Sequence, residues 1–117
     1  MTTDDLRCLV EQECGRLAKL GADGMAREFA SRGIQGRQEH VCECPLARAL
    51  ADTLMMTTGP LSVHNDGVKY LQPDGLVAAL AAFREGLRPL RDFVEAFDNG
   101  DYPHLVQEEE RAPSRAA

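Results

Sequence analysis

The sequence lacks tryptophan, and aromatic residues make up only 5% of its 117 residues. The hydrophobic core must therefore be built mainly from leucine, valine, alanine and methionine. The large apolar side chains are the four phenylalanines: Phe29, Phe83, Phe93 and Phe97. Alanine and leucine are abundant while β-branched residues are few, and this balance favours helices over strands.

Long apolar runs and an excess of positive charge are also missing. No stretch approaches the roughly 20 apolar residues that a membrane helix needs, and residues 1–5 lack the features of a signal peptide. The formal net charge is −6, the wrong sign for a protein that neutralises nucleic-acid phosphates. Residues 92–110 hold seven acidic residues and no lysine or arginine, so this end favours a basic partner. We therefore expect a cytoplasmic protein whose four cysteines are thiols or ligands rather than disulfides.

Length and apolar spacing predict one small domain of mixed secondary structure. We expect a globular domain over residues 1–106 and a disordered acidic tail over residues 107–117, which can bury too little to offset its ordering entropy. Helical spacing predicts helices over about 4–20, 23–32, 45–58 and 76–87, and a fifth helix, or a kinked continuation, through residue 97. Five residues define the inner side of the first helix: Leu6, Leu9, Val10, Leu17 and Leu20.

A hairpin signal lies between the third and fourth predicted helices. Leu61–His64 and Val68–Leu71 alternate in polarity and flank Asn65-Asp66-Gly67, whose residue types tolerate the positive φ of a tight turn. The loop has either two or three residues. The predicted fold class is therefore α+β, with four or five helices packed around one antiparallel β-hairpin.

His40, Cys42 and Cys44 form the most specific candidate site. In an extended segment, alternate side chains point to one face, so an imidazole and two thiolates could bind zinc together. A closed zinc site needs a fourth ligand, which Cys14, His64 or His104 could supply. The spacing is Cys-x-Cys rather than the usual Cys-x2-Cys, and the alternative is that cysteine acts here as a small apolar residue. Zinc is the only cofactor that the sequence suggests.

Cys44 also precedes Pro45, a residue favoured in the first turn of a helix. A thiol at a helix N-terminus has its pKa lowered by the helix dipole, and Cys42 could resolve a sulfenic acid formed there. The alternative is a buried, inert cysteine. No local signature ties cysteine, histidine and carboxylate residues into a catalytic set, so we do not expect an enzyme.

Three arginines form a candidate partner-binding group: Arg84, Arg88 and Arg91. Spaced four and three apart, they would line one side of a helix that continued through Pro89, and could bind an acidic partner or a phosphate. The alternative is a solvated face on which they pair with neighbouring acidic residues.

Two segments and the hairpin between them carry a resemblance to known proteins. The segments are Cys44-Pro45-Leu46-Ala47-Arg48 and Phe93-Val94-Glu95-Ala96-Phe97-Asp98-Asn99-Gly100-Asp101-Tyr102-Pro103. Together they resemble small uncharacterised proteins of actinobacteria and their mobile elements. The resemblance implies a small α+β architecture in which the Cys-Pro helix start recurs, and it implies no catalytic residues.

These observations predict a small, non-enzymatic regulatory or accessory protein that acts by protein–protein interaction. One alternative is a metal- or redox-responsive protein that uses His40, Cys42 and Cys44. A lesser alternative is a DNA-binding regulator with a helix-turn-helix in residues 22–48, although the basic residues there are balanced by acidic ones. The partner is an unidentified protein, and a homodimer is left open.

Overall fold

The computed structural model describes residues 2–56 and 60–107. The described residues form four α-helices: α1 (Thr3–Ala18), α2 (Gly21–Ser31), α3 (Pro45–Thr53) and α4 (Arg88–Asp98). They also form three strands: β1 (Leu61–His64), β2 (Gly67–Leu71) and β3 (Val77–Ala82). The strands make one antiparallel sheet in the order β1-β2-β3. Two 3₁₀ turns flank α4, at Glu85–Leu87 and Pro103–Leu105. The predicted α+β class is confirmed.

Local sequence signals set the start of two helices. At α1, the Thr2 hydroxyl accepts a hydrogen bond from the Asp5 N–H at 3.1 Å, and the Asp5 carboxylate accepts one from the Thr2 N–H at 3.2 Å. This reciprocal capping box satisfies two N–H groups that the helix leaves unpaired. At α3, Pro45 is the first helical residue, as predicted, and Cys44 is the N-cap.

The predicted hairpin is formed by β1 and β2. Leu61 pairs with Tyr70, and His64 pairs with Gly67. The loop therefore contains two residues, Asn65 and Asp66, which decides between the two lengths that the sequence allowed. This register places Leu61, Val63 and Val68 in the core.

The predicted fourth helix over residues 76–87 is wrong, because the segment Val77–Ala82 forms β3 and extends the hairpin into a three-stranded sheet. Leu80 is buried within the strand, and the Arg7 side chain of α1 donates to the Ala79 carbonyl at 3.1 Å. An alanine- and leucine-rich segment has high helix propensity, but pairing with β2 and packing against α1 outweigh that weak local preference.

Aromatic side chains join the helical half of the core to the C-terminal segment. The Phe93 ring of α4 packs edge-on against Phe29 of α2, with centroids 5.3 Å apart, and stacks on Tyr102 at 5.4 Å. The Tyr102 hydroxyl donates to the Asp23 carboxylate at 2.8 Å, and Leu105 is fully buried. Residues 101–105 thus fold back onto the domain.

The last described residue is Gln107, whose N–H donates to the Gly36 carbonyl at 2.8 Å. The rest of the predicted acidic tail, residues 108–117, lies outside the described residues. Within the described part of the chain, no helix has the length and apolar character needed to cross a membrane.

Candidate functional site

The segment that contains the predicted metal ligands is a loop between α2 and α3, held on three sides by hydrogen bonds. The Gly36 N–H donates to the Leu105 carbonyl at 2.8 Å, and the Val63 N–H of β1 donates to the Val41 carbonyl at 2.8 Å. The Glu39 N–H donates to the Asp98 carboxylate of α4 at 2.9 Å. The loop therefore joins the C-terminal segment, the sheet and α4, which is a structural role.

Close packing of the loop depends on Gly36. A Cβ atom at this position would lie 2.5 Å from both the Glu43 carbonyl oxygen and the Pro45 nitrogen. Both contacts are with backbone atoms, which cannot rotate away. Only glycine lets the chain approach the start of α3 this closely.

The predicted zinc ligands lie in different environments. His40 is 51% exposed, and its Nδ1 lies 3.4 Å from the Glu43 carboxylate. Cys42 is partly buried, whereas Cys44 is buried as the N-cap of α3. Within residues 2–56 and 60–107, no three His, Cys, Asp or Glu side chains are arranged to hold a metal ion. The proposed fourth ligands, Cys14, His64 and His104, therefore complete no site in this region.

Cys44 does not have the activated thiol that the helix-dipole argument predicts. Burial raises the pKa of the Cys44 thiol from 9.0 to about 12, while hydrogen bonds from the Ala47 and Leu46 N–H groups lower it only in part. The charge of Asp98 raises the pKa further. Desolvation of a thiolate thus outweighs the helix N-terminus, and the thiol accepts a hydrogen bond from the Ala47 N–H at 3.4 Å.

An open cleft of about 560 Å³ lies beside this loop. Its lining includes Glu39, Asp66 and Asp98, with Lys69 as its basic residue. His64 also lines the cleft, and its Nε2 lies 2.9 Å from the Ser62 hydroxyl. Burial is the larger cause of the lowered pKa of His64, and the positive charge of Lys69 is the smaller one. The excess of carboxylates means that the cleft favours a cationic group over an anionic one.

No family model, curated protein or solved structure matches this chain. The resemblance to small actinobacterial proteins stays a prediction.

The predicted arginine group is exposed but does not occupy one continuous helix. Arg84 precedes the 3₁₀ turn, Arg88 is the first residue of α4, and Arg91 lies one turn further on. The Arg91 Nε lies 3.3 Å from the Glu95 carboxylate. That ion pair is of the kind expected of a solvated helix face, and the role of the three arginines in partner binding stays a prediction.

A more prominent surface, which the sequence did not predict, surrounds the end of α3. Met55 is 92% exposed, and Leu9 of α1 is 38% exposed. Two clefts of about 430 and 370 Å³ share Leu54 and Met55 in their linings. We call the combined lining the Met55 surface, and it consists of Thr2, Thr3, Leu6, Leu9, Gln12, Glu13, Arg16, Thr53, Leu54, Met55, Met56, Tyr70 and Pro73.

Helix α1 contributes to this surface through a second stripe beside its buried one. Its buried residues are Leu6, Val10, Cys14 and Leu17. Leu9, Gln12, Glu13 and Arg16 recur at intervals of three and four, so they share one face of the helix. Leu9, which the apolar spacing placed in the core, therefore lies at the boundary between core and solvent, and Leu20 is exposed as well.

Met55 holds a backbone conformation that usually belongs to glycine. Its φ is 56°, its N–H donates to the Asp52 carbonyl at 3.1 Å, and the Met56 N–H donates to the Ala51 carbonyl at 2.8 Å. These two bonds form the Schellman motif, in which the left-handed position is usually glycine. Helices α2 and α4 end in the same way, with Gly33 at φ 70° and Gly100 at φ 89°.

The exposure of Met55 could not be predicted from the sequence, because no glycine or proline marks the observed end of α3. The pattern placed the end of that helix at Gly59-Pro60, so Met55 counted as an interior helical residue. The only signal was the pair Met55-Met56 itself. A methionine pair does not reveal exposure, because methionine is common in cores.

Proposed function

We propose that this protein is a small, non-enzymatic regulatory or accessory protein that binds another protein through the Met55 surface. The observation that carries the proposal is Met55, a large apolar side chain that is 92% exposed in a left-handed backbone conformation. Exposure gives the folded chain little hydrophobic stabilisation, and the conformation costs free energy for any residue other than glycine. Local strain of this kind is concentrated at functional sites.

The residues around Met55 support the proposal that a protein binds there. Leu9 and Leu54 line the cleft on one side of Met55, and Met56 and Tyr70 line the cleft on the other. An apolar side chain between two shallow clefts can be buried by a partner surface, and that burial supplies affinity. Methionine is unbranched and adaptable, which suits a surface that must fit a partner closely.

Site-specific cross-linking tests this proposal. A diazirine amino acid replaces Met55 in the full chain, and in a matched control it replaces Leu71. Leu71 is 52% exposed, and it lies on the opposite face of the sheet from Tyr70 because successive strand residues alternate. After irradiation in the native host, we expect a discrete protein adduct from position 55 and none from position 71.

A second variant tests whether the cross-link at position 55 depends on the Met55 surface. Leu9→Gln in the chain labelled at position 55 should remove the adduct, because it removes the apolar wall of the adjoining cleft. An adduct with a second copy of this chain would assign the surface to a homodimer. The absence of any adduct at position 55, or an adduct that persists with Leu9→Gln, would contradict the proposal.

A further inference from the structure

Acidic groups border the Met55 surface. Asp5 lies on the same stripe of α1 as Leu9, four residues before it, and Glu13 lies four residues after it. Beyond Glu13, the Glu28 carboxylate of α2 accepts hydrogen bonds from the Arg16 guanidinium at 2.7 and 3.1 Å. The Arg16 hydrogen bond is also the largest cause of the lowered pKa of Glu28, so this carboxylate is ionised over the whole neutral range.

The cations near this border are already shared between carboxylates. Arg16 lies 2.7 Å from both Glu13 and Glu28. Arg32 lies 3.2 Å from Glu28 and 2.8 Å from Asp52. With Asp5, the border therefore holds four carboxylates against two guanidinium groups, so its net charge is negative.

The shape of the surface is elongated along α1. Its α1 side extends from Thr2 to Arg16. Fourteen helical steps of 1.5 Å give a length of about 21 Å, which equals about four turns of a partner helix. Two adjoining clefts of that combined length, which share the apolar residues Leu54 and Met55, match the size of the hydrophobic surfaces on which proteins bind amphipathic helices.

We propose that the occupant of the Met55 surface is a cationic amphipathic helix of another protein, an inference that rests on the proposed function. The apolar face of that helix packs on Leu9, Leu54, Met55 and Met56. Its lysine and arginine side chains lie along the border, near Asp5 and Glu13. Charge complementarity selects a cationic helix over an acidic one, because an acidic helix would place like charges together at a desolvated contact.

A synthetic peptide tests the class of partner directly. The probe is an 18-residue peptide with leucine at helical positions i, i+3, i+4 and i+7 in each repeat, lysine at the flanking positions, and a fluorescent label. Binding to the full chain is measured by fluorescence anisotropy at about 50 and 150 mM salt. We expect at least tenfold weaker binding for a scrambled peptide of the same composition and for a version with glutamate in place of lysine.

Variants of this chain show whether the peptide occupies the Met55 surface. Met55→Gln should weaken binding about tenfold, while Leu71→Gln should leave it unchanged. Gln12 is exposed and lines the groove, so Gln12→Lys should weaken binding about threefold and Gln12→Glu should strengthen it, both effects shrinking at higher salt.

Equal binding by the scrambled peptide, or binding that ignores Met55→Gln, would overturn the inference. Failure of the peptide together with a Leu9-dependent cross-link at position 55 would overturn the cationic helix and leave the proposed function standing. Failure of both experiments would overturn both.

Discussion

Replacement of Met55 by glycine should stabilise the fold and at the same time weaken binding through the Met55 surface by about tenfold or more. Met55 occupies the left-handed position at the end of α3, with φ 56°. Relief of the left-handed conformation is worth about 1–2 kcal/mol for a residue with a Cβ atom. The extra freedom of glycine in the unfolded chain cancels about 0.5–1 kcal/mol of that gain. Little burial is lost, because the Met55 side chain is almost fully exposed.

The midpoints of these two ranges give a net free energy of unfolding for Met55→Gly that is higher by about 0.75 kcal/mol. For a urea m-value of about 1.5 kcal/mol/M, the midpoint should rise by about 0.3–0.7 M with the slope unchanged. Urea unfolding followed by circular dichroism measures both quantities.

Gly33→Ala provides the matched reverse control. Gly33 occupies the equivalent position of α2 at φ 70°, and a Cβ atom there would meet nothing within 4 Å. The added Cβ atom makes no new contact, so only the cost of the left-handed backbone conformation changes the stability. The variant should therefore be less stable by about 0.5–1 kcal/mol. If Met55→Gly were neutral or destabilising while Gly33→Ala behaved as expected, the Met55 side chain would have to stabilise the folded chain, and the reasoning would fail.

Three further predictions concern the loop and the buried thiols. Gly36→Ala should destabilise the fold by about 1–3 kcal/mol, because a Cβ atom would lie 2.5 Å from backbone atoms; an unchanged melting temperature would disprove the close approach. A thiol-specific reagent should modify the exposed Cys8 rapidly in the native protein and Cys44 only on unfolding; equal rates would show that Cys44 is accessible. Burial raises the pKa values of Cys14 and Cys44 from 9.0 to about 12. Their stabilisation is therefore full below pH 9, where the unfolded thiols are still neutral. It falls as the pH rises toward 12, by up to about 1.4 kcal/mol per pH unit for each thiol. Urea midpoints at pH 8–10 would measure this fall, and a flat profile would contradict it.

Elements with a local signal were predictable from the sequence. The start of α3 at Pro45 is dictated by a residue that lacks an N–H and has a preset φ. The hairpin follows from Asp66-Gly67 between two alternating runs. The existence of α1, α2 and α4 follows from apolar spacing, although their predicted ends differ from the observed ones by one or two residues because fraying and capping involve single hydrogen bonds.

Features that depend on distant contacts were not predictable in this way. Val77–Ala82 became a strand because β2 and α1 flank it, and its alanine-rich composition favours a helix in isolation. The His40, Cys42 and Cys44 spacing suggested a shared face, but the loop turns so that Cys44 is buried while His40 contacts Glu43.

The sequence by itself determined the α+β class, the hairpin and the helix start at Cys44-Pro45, since each rests on short-range sterics and backbone hydrogen bonding. The tertiary structure alone decided the burial and raised pKa of Cys44, because desolvation depends on which elements cover the thiol. It also decided the Met55 surface, which exists because α1, α3 and the turn after β2 meet around a side chain that none of them covers. Exposure is a property of the packed chain, and residue spacing cannot specify it when the end of a helix lacks its usual glycine.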